Sequence, residues 1–166
     1  GVLAESNGYM TRVFLFGTQD GELIWVSDPV SGYIRQMEFT PAGDRIVGSS
    51  SSAALFLVDS SDGKVLKSIG GSIQNVYGVV TDGERIYMSS FDCTLRMYDM
   101  ELNLLKSTKV AHQMYQLAIS PNGKKLAIGM NNSGEIEVRS TATLKKLYTP
   151  DNTGVSGYFY AVAWSN

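Results

Sequence analysis

A 40-residue period governs what this chain can fold into. The turn Ala42-Gly43-Asp44-Arg45-Ile46 returns as Asp82-Gly83-Glu84-Arg85-Ile86 and again as Asn122-Gly123-Lys124-Lys125-Leu126. The run Leu57-Val58-Asp59 returns in the same register as Met97-Tyr98-Asp99 and Glu137-Val138-Arg139. A related turn, Ser6-Asn7-Gly8, lies 35 residues before Gly43. Within one period the apolar runs are short and bounded by Gly, Asn, Asp and Ser, as in Tyr77–Thr81, Arg85–Ser89, Thr94–Asp99 and Leu104–Ser107. β-Branched and aromatic residues are frequent, and no stretch of ten residues keeps helical periodicity. Such runs with Asn-Gly and Asp-Gly between them predict antiparallel hairpins, because Asn and Gly tolerate the positive φ of tight turns. Four strands per ~40–45 residues is the period of a propeller blade. The expected fold class is all-β, a β-propeller of four-stranded antiparallel blades.

Certain segments resemble the WD-repeat family. Asp20-Gly21-Glu22-Leu23-Ile24-Trp25-Val26 and Asp92-Cys93-Thr94-Leu95-Arg96-Met97-Tyr98-Asp99 are similar to the third strand of its blades. Ser120-Pro121-Asn122-Gly123 and Trp164-Ser165-Asn166 resemble the turn after the first strand, and Ala111-His112 stands where that family often has Gly-His. The terminal Trp-Asp of the family is replaced by Tyr98-Asp99, Val58-Asp59 and Val138-Arg139, so its Asp–His–Ser–Trp hydrogen-bond tetrad cannot be assembled in full in any blade. The resemblance implies a non-catalytic protein-interaction scaffold, with His112 as a structural hydrogen-bonding residue between blades. Generic bacterial-type propeller repeats are an open neighbour.

The period divides the chain into a first blade at 1–32, three blades at 33–72, 73–112 and 113–154, and the first strand of a further blade at 155–166. The first blade reads as Val2–Ser6, Arg12–Gly17 and Leu23–Ser27, with its outer strand absent or vestigial. Tyr158–Ser165 then needs another sheet edge to pair with. About four blades is the lower limit for a closed ring of roughly 4–8, and an open array leaves large apolar faces wet. The expectation is a segment of a larger propeller, its ring completed by remaining blades. The alternatives are a small ring and a ring completed by a second copy.

Charge and chemistry narrow the function classes. Lys+Arg is 14 against Asp+Glu 16, which gives no basic excess for nucleic acid. Nowhere do 18 apolar residues run together, so no membrane span is expected. One Cys and one His exclude an intrachain disulfide and a Cys/His zinc cage. The start Gly1-Val2-Leu3 has no basic segment followed by an apolar run, which points to an intracellular, cytoplasmic protein. No nucleophile elbow is present, and Cys93 reads as a turn residue. The carboxylates Glu5, Asp20, Glu22, Asp59, Asp62, Asp82, Asp92 and Asp99 recur at turns, where hydrogen bonding explains them. Quinone-binding propellers carry a Trp ending each outer strand after a Gly. Leu66, Leu105 and Leu147 occupy the expected outer strands and no Trp follows, which counts against a quinone. No cofactor, metal or catalytic residue is expected. The alternative is a ligand- or metal-binding or enzymatic propeller with its site in the central channel.

Ser49–Ser52 is read as a polar hairpin tip whose small residues also suit crowded backbone near a propeller axis, and Lys64, Lys67, Lys106, Lys109, Lys145 and Lys146 fit outer edges, where Lys discourages sheet-to-sheet pairing. Partners of the resembling family dock on loops that enter each first strand. The candidate partner-binding residues here are therefore Tyr33, Arg35, Gln74, Asn75, Phe91, His112, Gln113, Tyr115, Tyr158 and Tyr160. Tyr and Arg are enriched at protein interfaces. The expected partners are proteins or peptides.

Overall fold

The computed structural model of the 166-residue chain describes residues 2–7, 10–70, 75–131, 134–151 and 157–165, with only the backbone of 2–7 and 53–54. It is all-β, with no helix among the described residues. Among the described residues sixteen strands form four antiparallel four-stranded sheets, the blades of a partial propeller. Three are meanders in chain order. The second sheet is β5 (Ile34–Phe39), β6 (Arg45–Ser50), β7 (Ala53–Asp59) and β8 (Val65–Gly70). The third is β9 (Val76–Thr81), β10 (Arg85–Ser90), β11 (Thr94–Asp99) and β12 (Leu104–Lys109). The fourth is β13 (Met114–Ile119), β14 (Lys125–Met130), β15 (Ile136–Ser140) and β16 (Lys146–Tyr148).

The first sheet departs from the expected reading. It holds β1 (Val2–Asn7), β2 (Met10–Phe16) and β3 (Leu23–Val26), with β4 (Val30–Ser31) pairing β2 at Met10 and Thr11. Its β2–β3 turn identifies the strands. The Gly17 N–H donates to Glu22 O at 2.9 Å and Gly21 N–H to Gly17 O at 3.1 Å. The β7–β8 turn repeats this with Asp59 to Lys64 and Gly63 to Asp59, and the β15–β16 turn with Ser140 to Lys145 and Leu144 to Ser140. β1, β2 and β3 therefore correspond to the second, third and fourth strands of the other sheets. The strand holding Leu23–Trp25 is the outer one, not the third.

That shared turn needs a residue in the left-handed region. Gly21 (φ 72°) and Gly63 (φ 78°) adopt it freely, whereas Leu144 (φ 58°) does so with a side chain, as does Leu102 (φ 56°) in the shorter β11–β12 turn. The strain of about 1–2 kcal/mol is offset by burial of each leucine, worth about 1.5–3 kcal/mol; both are buried in core clusters.

The core lies between sheets. In β6 Ile46 faces the first sheet and Val47 the third; in β7 Phe56 and Val58 face one way and Leu55 and Leu57 the other. Tyr87, Leu95 and Met97 continue the pattern from the third sheet onto Leu117, Leu126 and Ile128 of the fourth. Burial on both faces explains why second strands read as unbroken runs rather than as alternation. Gly48 lies opposite Phe56, and a Cβ there would overlap the Phe56 ring.

The outer rim is clasped as well. Trp25, four residues after Gly21, donates its Nε1–H to Ser60 O of the next sheet at 2.9 Å, and Gly63 lies against its ring. Lys67, four residues after Gly63, donates its Nζ–H to Glu101 O at 2.5 Å. One sheet thus does carry a Trp on its outer strand after a Gly, contrary to the expectation, and Lys67 fills that position in the next. The lysines expected on outer edges are all exposed, on or just before β8, β12 and β16.

Residues 157–165 form no strand; they lie against the fourth sheet. The Phe159 N–H donates to Met130 O at 3.2 Å, and the Trp164 Nε1–H donates to Ala118 O at 3.0 Å. The close approach of Phe159 O to Gly129 repeats the contact of Tyr115 O with Ser89, which stands at the equivalent point of β10. The segment occupies, on the fourth sheet, the place that β13 occupies on the third.

Candidate functional site

The second residue of each first strand meets its counterpart on the next. These are Arg35 on β5, Tyr77 on β9 and Tyr115 on β13. The Arg35 guanidinium lies 5.1 Å from the Tyr77 ring centre. Tyr77 stacks on Phe91 at 4.3 Å and meets Tyr115 edge-on at 5.2 Å, and Phe91 meets Tyr115 at 5.1 Å. Tyr115 reaches Tyr160 at 4.4 Å, and Tyr160 reaches Tyr158 at 5.7 Å. The result is a continuous ridge of one cation and five rings across three sheets and the last segment. Separations of this size each contribute about 0.5–1.5 kcal/mol beyond area burial. Tyr158 and Tyr160 stay 53% and 60% exposed, so the ridge rises to solvent at that end. Loss of hydration, aided by the Tyr160 hydrogen bond, pushes the Tyr115 phenol up to about 12, so it stays a neutral donor.

The structure brings together Arg35, Phe91, Tyr115, Tyr158 and Tyr160 of the expected residues. Tyr33, Asn75 and Gln113 instead enter the first strands and tie them down. Their carbonyls accept from Ser51, Phe91 and Asn131 of the following turns at 2.9, 3.2 and 2.8 Å. The Gln113 side chain also accepts from Asn131 Nδ2 at 2.6 Å. Tyr33 is exposed and outside the ridge. Gln74 lies outside the described residues. His112 is exposed and forms no hydrogen bond among the described residues, so it does not join blades as the resemblance implied. The third and fourth sheets are joined instead by packing and by the Ser89 hydroxyl donating to Tyr115 O, while the Asn131–Gln113 pair ties β13 to β14 within one sheet.

At the other end of the first strands, a second feature was not foreseen. Gln36 and Glu38 of β5 reach the free inner edge of β9, where their Oε1 atoms accept from Val79 N–H and Thr81 N–H. Sequence alone shows two polar residues alternating with apolar ones, which reads as a solvated strand face. A cavity of about 440 Å³ lies beside them, walled by β5, β9, β13 and the 157–165 segment. Burial pushes the Glu38 carboxyl up to about 7, opposed by the Thr81 hydrogen bond.

Among the described residues no group of three or more His, Cys, Asp or Glu could hold a metal. Cys93 sits in the β10–β11 turn at φ 58° with its side chain partly against the core. Asp92, at the same turn, pairs with Arg96 at 2.5 Å and donates nothing to a wider cluster. No helix among the described residues is long and apolar enough to cross a membrane. No family model matches the chain, and no curated protein matches it.

Proposed function

We propose that this chain is a non-catalytic interaction scaffold of WD-repeat type, holding a protein or peptide on the ridge formed by Arg35, Tyr77, Phe91, Tyr115, Tyr158 and Tyr160. The observation that carries the reading is the unbroken ring-to-ring contact across two sheets and the last segment, with Arg35 of a third sheet over the Tyr77 ring. Rigid aromatics with polar tips give large contact area at little entropic cost, and a ridge locked by its own contacts is pre-organised for binding. The lack of any disulfide partner for Cys93 within the chain suits a reducing, intracellular setting.

The test is partner capture by wild-type protein, by Arg35→Ala/Tyr160→Ala, and by Lys124→Ala at the opposite end of the sheets, each checked for folding by circular dichroism. Loss of the same partners in the double variant alone supports the ridge. Unchanged capture by that variant refutes it.

A further inference from the structure

The cavity at the inner strands is built around a single ionisable group. Of the residues that line it, only Glu38 carries a charge in any protonation state. One Glu38 oxygen accepts the Thr81 N–H, and Glu38 forms no ion pair among the described residues. Leu117 and Val162 supply apolar wall, and the Trp164 indole is fixed there by its bond to Ala118 O. Gln36 Oε1 spends one lone pair on Val79 N–H at 3.4 Å and keeps a second.

We propose that this cavity binds an organic cation, an ammonium or guanidinium group on an alkyl stem, with Glu38 as its counter-ion. A buried carboxylate without a partner is costly, and an incoming cation removes that cost. The alkyl stem takes the apolar wall, and an aromatic face attracts the charged head. One carboxylate with one amide oxygen suits a single positive charge. A divalent ion such as calcium takes 6–8 oxygens.

Ionisation of Glu38 is then linked to occupancy. Among the described residues no other charged group faces it: β9, β13 and the 157–165 segment carry none. Arg35 lies over Tyr77, and Arg45 of β6 is held by Met100 O at 3.1 Å and by Glu101. The cation competes only with the proton, so affinity rises with pH. For a carboxyl titrating at about 7, the ionised fraction and hence the affinity grow about tenfold from pH 6 to pH 8.

The site is separate from the tyrosine ridge, so either reading can fail alone. The test is calorimetric titration of the full chain with n-butylguanidinium chloride at pH 6 and pH 8. Saturable binding that is about tenfold tighter at pH 8, and that Glu38→Gln weakens at least tenfold, is the expected result. Glu38→Gln retains an acceptor for Thr81 N–H, so folding is preserved. No saturable binding at pH 8, equal affinity at the two pH values, or equal affinity of the variant overturns the proposal. A capped arginine tripeptide that outbinds the free guanidinium assigns the cation to a partner's side chain; the reverse order assigns it to a small solute, and both uphold the site. A norleucine tripeptide that binds as well as the arginine one overturns it.

Discussion

Replacing Glu38 with Gln should change how stability depends on pH, with a sign and size set by the structure. The wild-type carboxyl titrates at about 7 in the folded chain against an ordinary 4.5. The folded state therefore holds a proton that the unfolded state has released between those values. Stability is fully present below about pH 4.5 and is lost as pH rises through about 7. At 1.36 kcal/mol for each tenfold change in proton affinity, the loss is about 3 kcal/mol. The amide of Glu38→Gln keeps the acceptor for Thr81 N–H and cannot ionise. Urea unfolding of both proteins, followed by circular dichroism from pH 4 to pH 8.5, should give parallel stabilities at the acid end. Wild type should then fall progressively below the variant, reaching a constant deficit of about 3 kcal/mol above pH 8. Asp59, Asp62 and Asp99 are held below the usual carboxylate range by hydrogen bonds from Ser61, Lys64 and Asn103, so they titrate at the acid extreme and equally in both proteins. Two curves that stay parallel throughout, or a wild type that gains stability with pH, would refute the burial of Glu38.

The remaining predictions concern a buried ion pair and two contacts between neighbouring elements. Glu137→Ala leaves the buried Arg139 without the carboxylate it meets at 2.6 Å, and should cost about 3–5 kcal/mol; a Glu137→Leu/Arg139→Met double variant should recover most of it in the same denaturation assay. Trp25→Phe removes the hydrogen bond to Ser60 O and part of the ring lying on Gly63, for an expected loss of about 1–2 kcal/mol by urea unfolding. Gly129→Ala places a Cβ against Phe159 O. It should release the 157–165 segment, seen as a red shift of Trp164 emission in a Trp25→Phe background, while far-ultraviolet dichroism is unchanged. An unshifted emission would show that the segment does not rest on Gly129.

Much of the architecture was legible because turn chemistry and strand pattern repeat in one register. Gly43, Gly83 and Gly123 mark first-to-second-strand turns, and the four runs read between Tyr77 and Ser107 correspond to β9–β12. The first sheet was misread because Asn7-Gly8 has the same composition as Asn122-Gly123 but joins different strands. The better signal was the spacing Gly17 to Gly21, which matches Asp59 to Gly63 and belongs to the third-to-fourth-strand turn. Part of the ridge was legible because Arg35 and Tyr115 stand in the 40-residue register, whereas Tyr77 falls two residues out of it and Asn75 holds the aligned place. The role of Glu38 was not. Its environment is made by Thr81, Leu117 and Trp164, which come from three other places in the chain, and no local pattern records that convergence.

The rim clasps from Trp25 to Ser60 and from Lys67 to Glu101 join only consecutive sheets. Tension applied to the two termini would therefore load these clasps one after another instead of sharing the force. The chain should lengthen in discrete jumps as each sheet detaches, every jump freeing about 40 residues, or roughly 130–140 Å of extended polypeptide. A handle of this kind would yield gradually under a pull that snaps a single cooperative core.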